Sequence, residues 1–398
     1  MVTGRDLPHS GRLTAGYLTV GTVEDLHASA TKITGLDDFG TPDYRVALEV
    51  LLESYARDAA LTPVGNKAKR AFLRGALVAR LLSEAAWRQH PECADVQIER
   101  PIFVTGLPRT GTTALHRLLA EDPAHQGLEL WLTQVPQPRP PRETWTDNPI
   151  FEGIEAGYRK HHVEHPEFMG LHYMSADQVE ECWQLVRQSV RSISYECLAY
   201  LPTYSAWLAG QDWTGPYRRH RRNLELIGLP DRDRRWVLKD PSHLFALDAL
   251  LEVYPDALLI QMHRSPRTAI ASICSLNATA SQDWSEIFRG ELVGRSQLDL
   301  WARGLDTFAA DRAKYDQAQF CDVYYEDFVA DPIGTAEKVY AHFGLPLTHE
   351  AQAAMSALHT ETASGDRRPA HHYQLSDFGL TGEEVDERFA DYLRTHAR

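Results

Sequence analysis

"GLPRTGTT", Gly106–Thr113, is the stretch on which the reading of this chain turns. A phosphate-binding loop follows the pattern G-x-x-x-x-G-K-[ST]. Gly106 and Gly111 stand at its two glycine positions and Thr113 at its hydroxyl position. The lysine is missing. Thr112 takes its place, and the nearest cation, Arg109, lies inside the loop. Just before it, "PIFVT" (Pro101–Thr105) reads as a short buried strand. Just after it, "TTALHRLLA" reads as a helix with Leu115, Leu118 and Leu119 on one face. Strand, glycine loop and helix together make an anion site, because the loop's N–H groups and the helix's positive dipole end face the same point.

The missing lysine narrows the ligand. A triphosphate site neutralises its γ-phosphoryl group with that lysine and holds Mg²⁺ through an aspartate at a strand end. Here the strand "ALLIQMHR" ends in His263 and Arg264. The loop therefore suits a ligand that has phosphates but no magnesium. A sulfuryl group fits, since it carries one negative charge fewer than a phosphoryl group. Arg109 then supplies the loop's cation as a fork of donors.

Outward from the loop the pattern is α/β. "RRWVLKDPSH" holds a strand at Trp236–Leu238, and "HLFALDALLEVY" reads as a helix with Pro241 near its start and Pro255 after its end. "ALLIQMHR" is a buried strand. Ser265 and Pro266 open the helix "SPRTAIASICSL" as N-cap and first helical residue. "CDVYYEDF" reads as a strand, and "DPIGTAEKVYAHFGLP" as a helix closed by Gly344. Alternation of this kind predicts a parallel sheet covered on both faces, with ligands at the carboxyl ends of its strands. Residues 1–95 read as helices, at Val23–Ala30, Tyr44–Ser54 and Ala71–Trp87. "VPQPRPPRETW" is a proline-rich loop. Residues 150–235 return to helix, with Val179, Trp183, Val186, Val190, Ile193 and Cys197 stepping by three and four. This block interrupts the α/β pattern, as insertions that cover a site do. Trp145, His172, Tyr173 and Trp183 hint at an aromatic pocket.

Composition sets the bounds. The chain has 398 residues, 43% of them hydrophobic and 24% charged, the balance of a soluble globular protein. A net charge of −14 argues against general nucleic-acid binding, though not against one small anion met by local cations. The five cysteines are dispersed and form no C-x-x-C, which fits reduced thiols in a cytoplasm with neither a disulfide framework nor a zinc site. The N-terminal residues show no apolar signal-peptide core. No apolar run reaches the length of about 18 residues that a membrane span needs.

"GLPRTGTT" resembles the 5′-phosphosulfate loop of sulfotransferases that use 3′-phosphoadenosine 5′-phosphosulfate. That family's motif reads [K/R]-[S/T]-G-T-[T/S], and Arg109, Thr110, Gly111, Thr112 and Thr113 fill it. A strand-end Arg with a Ser eight residues on binds the 3′-phosphate in the family; "HRSPRTAIAS" supplies Arg264 and Ser272. "VYYEDF" supplies Tyr325, which the resemblance places near the adenosine. The three motifs keep the family's order over about residues 100–345. "RRPAHHYQLSDFGL", with Arg367 and Arg368, resembles the C-terminal segment of bacterial members, and the resemblance makes it part of a cofactor lid. Lys239 in "LKDPSH" matches a family lysine at the transferring oxygens. Two residues compete as general base. His243 follows Lys239 as a base histidine does in cytosolic members, although as K-x-x-x-H rather than K-x-H. Glu129 in "GLELW" falls near the glutamate base of the tyrosylprotein branch. Ala114 stands where cytosolic members stack a tryptophan on adenine, which leaves the adenine contact unassigned.

The expectation is one α/β domain of P-loop fold across 1–398. Residues 1–95 form an N-terminal helical part, 100–345 a core with a helical insertion at about 150–235, and 346–398 a C-terminal lid. It transfers sulfuryl groups, without metal, to a small hydroxyl or amine acceptor in the cytoplasm; homo-oligomerisation stays open. The alternatives are a P-loop small-molecule kinase or NTPase, and a non-catalytic nucleotide-binding protein.

Overall fold

The computed structural model describes residues 19–166, 168–171, 173–364 and 373–396. Five strands form a parallel sheet: β1 Ile102–Gly106, β2 His125–Gln126, β3 Arg235–Lys239, β4 Leu258–His263 and β5 Phe320–Tyr324, in the order β2-β3-β1-β4-β5. β1 thus lies between β3 and β4, with Val104 beside Lys239 on one side and Gly106 beside Met262 on the other. The chain leaves β1 in one direction and returns on its other flank as β4. This is the switch point at which parallel sheets open a crevice.

Every residue of β1 and β4 is buried, as a sheet covered on both faces requires. Alternation decides which core each side chain joins. Ile102, Val104, Ile260 and Met262 pack with Leu115, Leu118, Val339 and Tyr340, under the helices Thr112–Ala120 and Pro332–Phe343. Phe103, Leu238 and Leu259 face the opposite cluster, which also holds residues from Val20 to Phe389. Among the described residues no helix is long and apolar enough to cross a membrane. The five cysteines are free thiols.

The N-terminal helices form where their caps lie. Thr22 and Asp25 make a capping box at Val23–Thr34, which ends on Gly35 in the left-handed region at φ 71°. Thr62 caps Pro63–Gln89, with Pro63 in the first turn. Tyr44–Arg57 lies between them.

Four expectations change in detail. The stepped apolar residues from Val179 to Cys197 do not form one helix. They break into an α-helical turn at Trp183–Val186 and 3₁₀ turns at Arg187–Ser189 and Ile193–Tyr195. The reason is tertiary: Glu180 N donates to Leu128 O and Cys182 N to Lys239 O, while Val190 sits at φ 55°. The true helices of the insertion are Pro149–Glu164, Phe168–Leu171, Pro202–Leu208 and Thr214–Ile227. The helix expected after β3 divides into a 3₁₀ turn, Pro241–Phe245, and an α-helix, Leu247–Val253. β5 stops at Tyr324, and Tyr325 opens the helix Tyr325–Ala330. Ser265 occupies the N-cap of Pro266–Ala280, but its side chain makes no capping bond.

Gly106 gives the loop its start. Its φ is +139°, and a Cβ there would lie 2.4 Å from Met262 O on the neighbouring strand. Gly75, inside Pro63–Gln89, has nothing within 4 Å of an added Cβ. Gly75→Ala should therefore raise stability by about 0.5–1 kcal/mol. Gly106→Ala should lower it by about 2–3 kcal/mol or more, from strain and clash together. Urea unfolding midpoints check both; a Gly106→Ala protein as stable as wild type contradicts this account of the β1–β4 approach.

Candidate active site

The loop after β1 is held in an uncommon shape. Gly106, Arg109 and Gly111 all have positive φ, at 139°, 68° and 91°. For Arg109 this is a strained choice, of the kind that clusters at ligand sites. Thr110 Oγ1 donates to Leu107 O at 2.7 Å and ties the turn to itself. A Cβ on Gly111 would meet the Tyr325 ring at 3.0 Å, so the loop and the start of the helix after β5 fit only around a glycine.

On one side of the loop four expected residues meet. Arg109 Nε donates to Ser272 Oγ at 3.1 Å. Arg264 Nη1 donates to Arg109 O at 2.7 Å, and its guanidinium lies over the Tyr325 ring at 3.9 Å. The geometry follows from the sheet: Arg264 succeeds β4, Ser272 lies one face down the helix Pro266–Ala280, and Tyr325 succeeds β5. Burial lowers the Arg109 pKa, opposed by the Tyr373 phenol and reinforced by Arg264. Tyr373 belongs to the C-terminal segment. Arg367 and Arg368 of that segment lie outside the described residues.

On the other side stands Lys239, at the end of β3 and 1% exposed. Its Nζ donates to Thr113 Oγ1 at 3.1 Å and forms an ion pair with Glu181. Glu181 reaches it because Cys182 N is anchored on Lys239 O at 3.0 Å. Next in the chain, Asp240 accepts from Ser242 N through Oδ1 at 2.8 Å, while Oδ2 is sealed without a partner. Burial, and then the charge of Glu181, push the Asp240 carboxyl well above the usual range, to about 7.

Both residues expected as base have partners in other side chains. His243 is 0% exposed; its Nδ1 lies 2.6 Å from the Tyr217 hydroxyl, and its ring meets the Phe103 edge at 5.1 Å on the core side of β1. Burial drives its pKa far below the ordinary imidazole value, helped by His220 and Lys239. Glu129 accepts from Arg139 Nε at 3.1 Å. Arg139 in turn holds Asp231 at 2.5 Å, Gln126 Oε1 at 2.8 Å and Gly127 O at 2.6 Å. Burial raises the Glu129 pKa and Arg139 opposes it.

Glu181, paired with Lys239, is a residue that the sequence reading did not single out. Nothing in the spacing of "QVEECW" marks it; the usable signal is the demand of a buried lysine for a carboxylate. Of the aromatics that hinted at a pocket, Trp145 is core, packed on Trp131 and Phe151. Tyr173 stacks on His162 at 4.8 Å and Trp183 lies 5.7 Å from Phe72, while His172 lies outside the described residues.

The His243 environment carries a pH signature. A histidine with a depressed folded pKa adds stability above the unfolded value of about 6.5 and loses it as pH falls below that value. His243→Gln removes this term. Between about pH 6 and 5, stability of the wild type should fall more steeply than that of the variant by about 1.4 kcal/mol per pH unit. Urea unfolding across that range checks it; equal slopes would place the imidazole in solvent.

With this geometry in hand, comparison with known proteins is informative. A model described as "Sulfotransferase family" matches residues 101–349. Omega-hydroxy-beta-dihydromenaquinone-9 sulfotransferase Stf3 of Mycobacterium tuberculosis (strain CDC 1551 / Oshkosh), like its Mycobacterium bovis counterpart, is 28% identical over 255 residues. That match covers 62% of this chain and 63% of the relative, so it spans less than two thirds of the curated relatives' length. The crystal structure of sulfotransferase STF1 from M. tuberculosis H37Rv superposes with a TM-score of 0.88 at 58% identity, over 94% of this chain and 99% of that one. Sulfotransferase STF9 from Mycobacterium avium superposes at 0.85 with 29% identity, over 94% and 97%. A family model that matches most of the chain, on a P-loop fold shared with both crystal structures, means that this chain belongs to the sulfotransferase family.

Proposed function

We propose that this protein moves the sulfuryl group of 3′-phosphoadenosine 5′-phosphosulfate to a hydroxyl of a small acceptor. The observation that supports this most is the pair of half-sites on either side of one loop. Arg109, Ser272 and Arg264 lie together on one, and Thr113, Lys239 and Glu181 on the other. Their chemistry fits the donor: two anionic ends need two cationic positions, and the reacting end needs a cation beside a proton acceptor.

When bound, the donor supplies an activated sulfuryl group and a phosphate leaving group. The N–H groups of residues 109–113 and the start of the helix Thr112–Ala120 would hold the 5′-phosphate. Arg264 and Ser272 would hold the 3′-phosphate through charge-assisted hydrogen bonds. Lys239, fixed on Thr113, places its ammonium where charge grows on the leaving oxygen. Glu181, the carboxylate paired with Lys239, would take the acceptor's proton, a base role that sequence reasoning gave to His243 or Glu129. As the acceptor O–S bond forms and the S–O bond to phosphate breaks, the proton passes to Glu181 and adenosine 3′,5′-bisphosphate leaves.

The kinase reading gains nothing from these residues. Thr112 replaces the loop lysine. The carboxylate that follows β3, Asp240, is sealed and engaged with Ser242, and His263 at the end of β4 is paired with Asp322 and Tyr392. Stf3, by its name, acts on a hydroxylated menaquinone; for this chain the reading is a hydroxyl on a small acceptor, met in the cytoplasm.

Two measurements test the proposal. Adenosine 3′,5′-bisphosphate at about 100 times its Kd should stabilise the protein by about 2.7 kcal/mol with chelator present. ATP stabilisation that requires Mg²⁺, with no response to the bisphosphate, supports the kinase instead. In transfer of labelled sulfate to a panel of phenols, alcohols and amines, Glu181→Gln should lower kcat by about 10²–10⁴ with bisphosphate affinity nearly intact. His243→Gln should stay within a few-fold of wild type. Arg264→Ala should instead raise donor KM, by the about 1.5–3 kcal/mol of a lost charge-assisted hydrogen bond. Full turnover by Glu181→Gln removes Glu181 from the base role.

A further inference from the structure

Among the described residues, Arg80, Arg139 and Arg187 are buried, at 1%, 7% and 8% exposed. The first two are fully engaged. Arg80 donates to Phe39 O, Gln188 O and Thr41 O, and Arg139 holds Glu129 and Asp231. Arg187 differs. Among the described residues its guanidinium has no hydrogen-bond acceptor and no carboxylate partner, and its Nε is sealed from solvent. Two aromatic rings stand beside it: the guanidinium lies 4.9 Å from the Phe72 ring and 5.2 Å from the Trp183 ring. Rings attract a cation but accept few of the five N–H bonds that a guanidinium can donate.

The position of this group matters. Trp183–Val186 is the turn that begins one residue after the Cys182 anchor on Lys239 O, two residues after Glu181. A side chain on such a turn leans toward its N-terminal end. Arg187 does so, lying over Trp183, four residues earlier, and so points back toward the Glu181 end. Tyr158, from the helix Pro149–Glu164, lies within the field of Arg187, which opposes burial in setting the phenol's pKa. Phe72, Trp183 and Tyr158 are each only partly buried, so this aromatic cluster borders accessible space.

We propose that Arg187, between Phe72 and Trp183, is an anion-binding subsite of the acceptor pocket, so that the acceptor carries an oxyanion on an apolar or aromatic body, remote from the hydroxyl that reacts. This rests on the sulfuryl-transfer reading. The oxyanion is a carboxylate, a sulfonate or a phosphate monoester, all of which a guanidinium fork receives in the same way.

The test uses 4-hydroxyphenyl alkanoic acids of stepped chain length, each with its methyl ester, and the matching sulfonates and phosphate monoesters. Wild-type kcat/KM, and affinity in the dead-end complex with adenosine 3′,5′-bisphosphate, should favour one acid over its ester by tenfold or more. Which oxyanion ranks first identifies the group. Arg187→Met should lower kcat/KM for that acid by ten- to a hundredfold and leave the ester unchanged. Arg187→Lys should restore part of the loss. Equal acid and ester in the wild type at every length, or equal losses for both in Arg187→Met, overturn the subsite. If the variants fail to fold, the wild-type acid–ester comparison decides alone. Failure of the bisphosphate to bind is a different result: it removes the sulfuryl-transfer reading and this inference with it. Bisphosphate binding without acid preference removes only the subsite.

Discussion

The site depends on one residue held against its own preference. Arg109 sits at φ 68°, in a region that costs a non-glycine residue about 1–3 kcal/mol. Among the described residues, two bonds hold it there. Its carbonyl is taken by Arg264 and its Nε by Ser272, more than 150 residues away in the chain. The loop after β1 is therefore shaped by the end of β4, and neither motif is a site without the other. The strand order makes this contact local: β1 and β4 are neighbours, and Gly106 lets their backbones approach where any side chain would strike Met262 O.

The other flank obeys the same logic with opposite chemistry. β3 delivers Lys239 beside Thr113, and the insertion folds back through Cys182 to set Glu181 against it. A buried ammonium requires such a carboxylate. One carboxylate, Glu181, faces the lysine, and a second, Asp240, is raised by burial and by Glu181. Two carboxylates beside one buried cation put a proton acceptor next to a fixed positive charge. The donor flank, by contrast, gathers Arg109, Arg264 and the Ser272 hydroxyl to receive charge.

Much of this was legible in the sequence. The strand–loop–helix around Gly106–Thr113 and the parallel sheet were readable because turn chemistry and apolar periodicity are local. Arg264 and Tyr325 were readable because each follows a strand that ends at the same edge, and Ser272 through the spacing from Arg264 that the family resemblance supplies. The insertion was not. Its apolar residues recur at helical spacing because they are largely buried, but their backbone bonds go to Leu128 and Lys239, which no local pattern encodes. His243 illustrates the same limit: a position after Lys239 in the chain does not say which side of the sheet receives the side chain, and here Phe103 and Tyr217 receive it. Glu181 and Arg187 stand out only once burial and partners are known.

The central claim is that one loop joins a phosphate-receiving flank to a reacting flank, and a crystal structure of the protein with adenosine 3′,5′-bisphosphate tests it most directly. The account predicts the 5′-phosphate on the N–H groups of residues 109–113 and the 3′-phosphate on Arg264 and Ser272, with Lys239 facing the 5′-phosphate. A bisphosphate bound elsewhere, or bound with its 3′-phosphate away from Arg264, contradicts it.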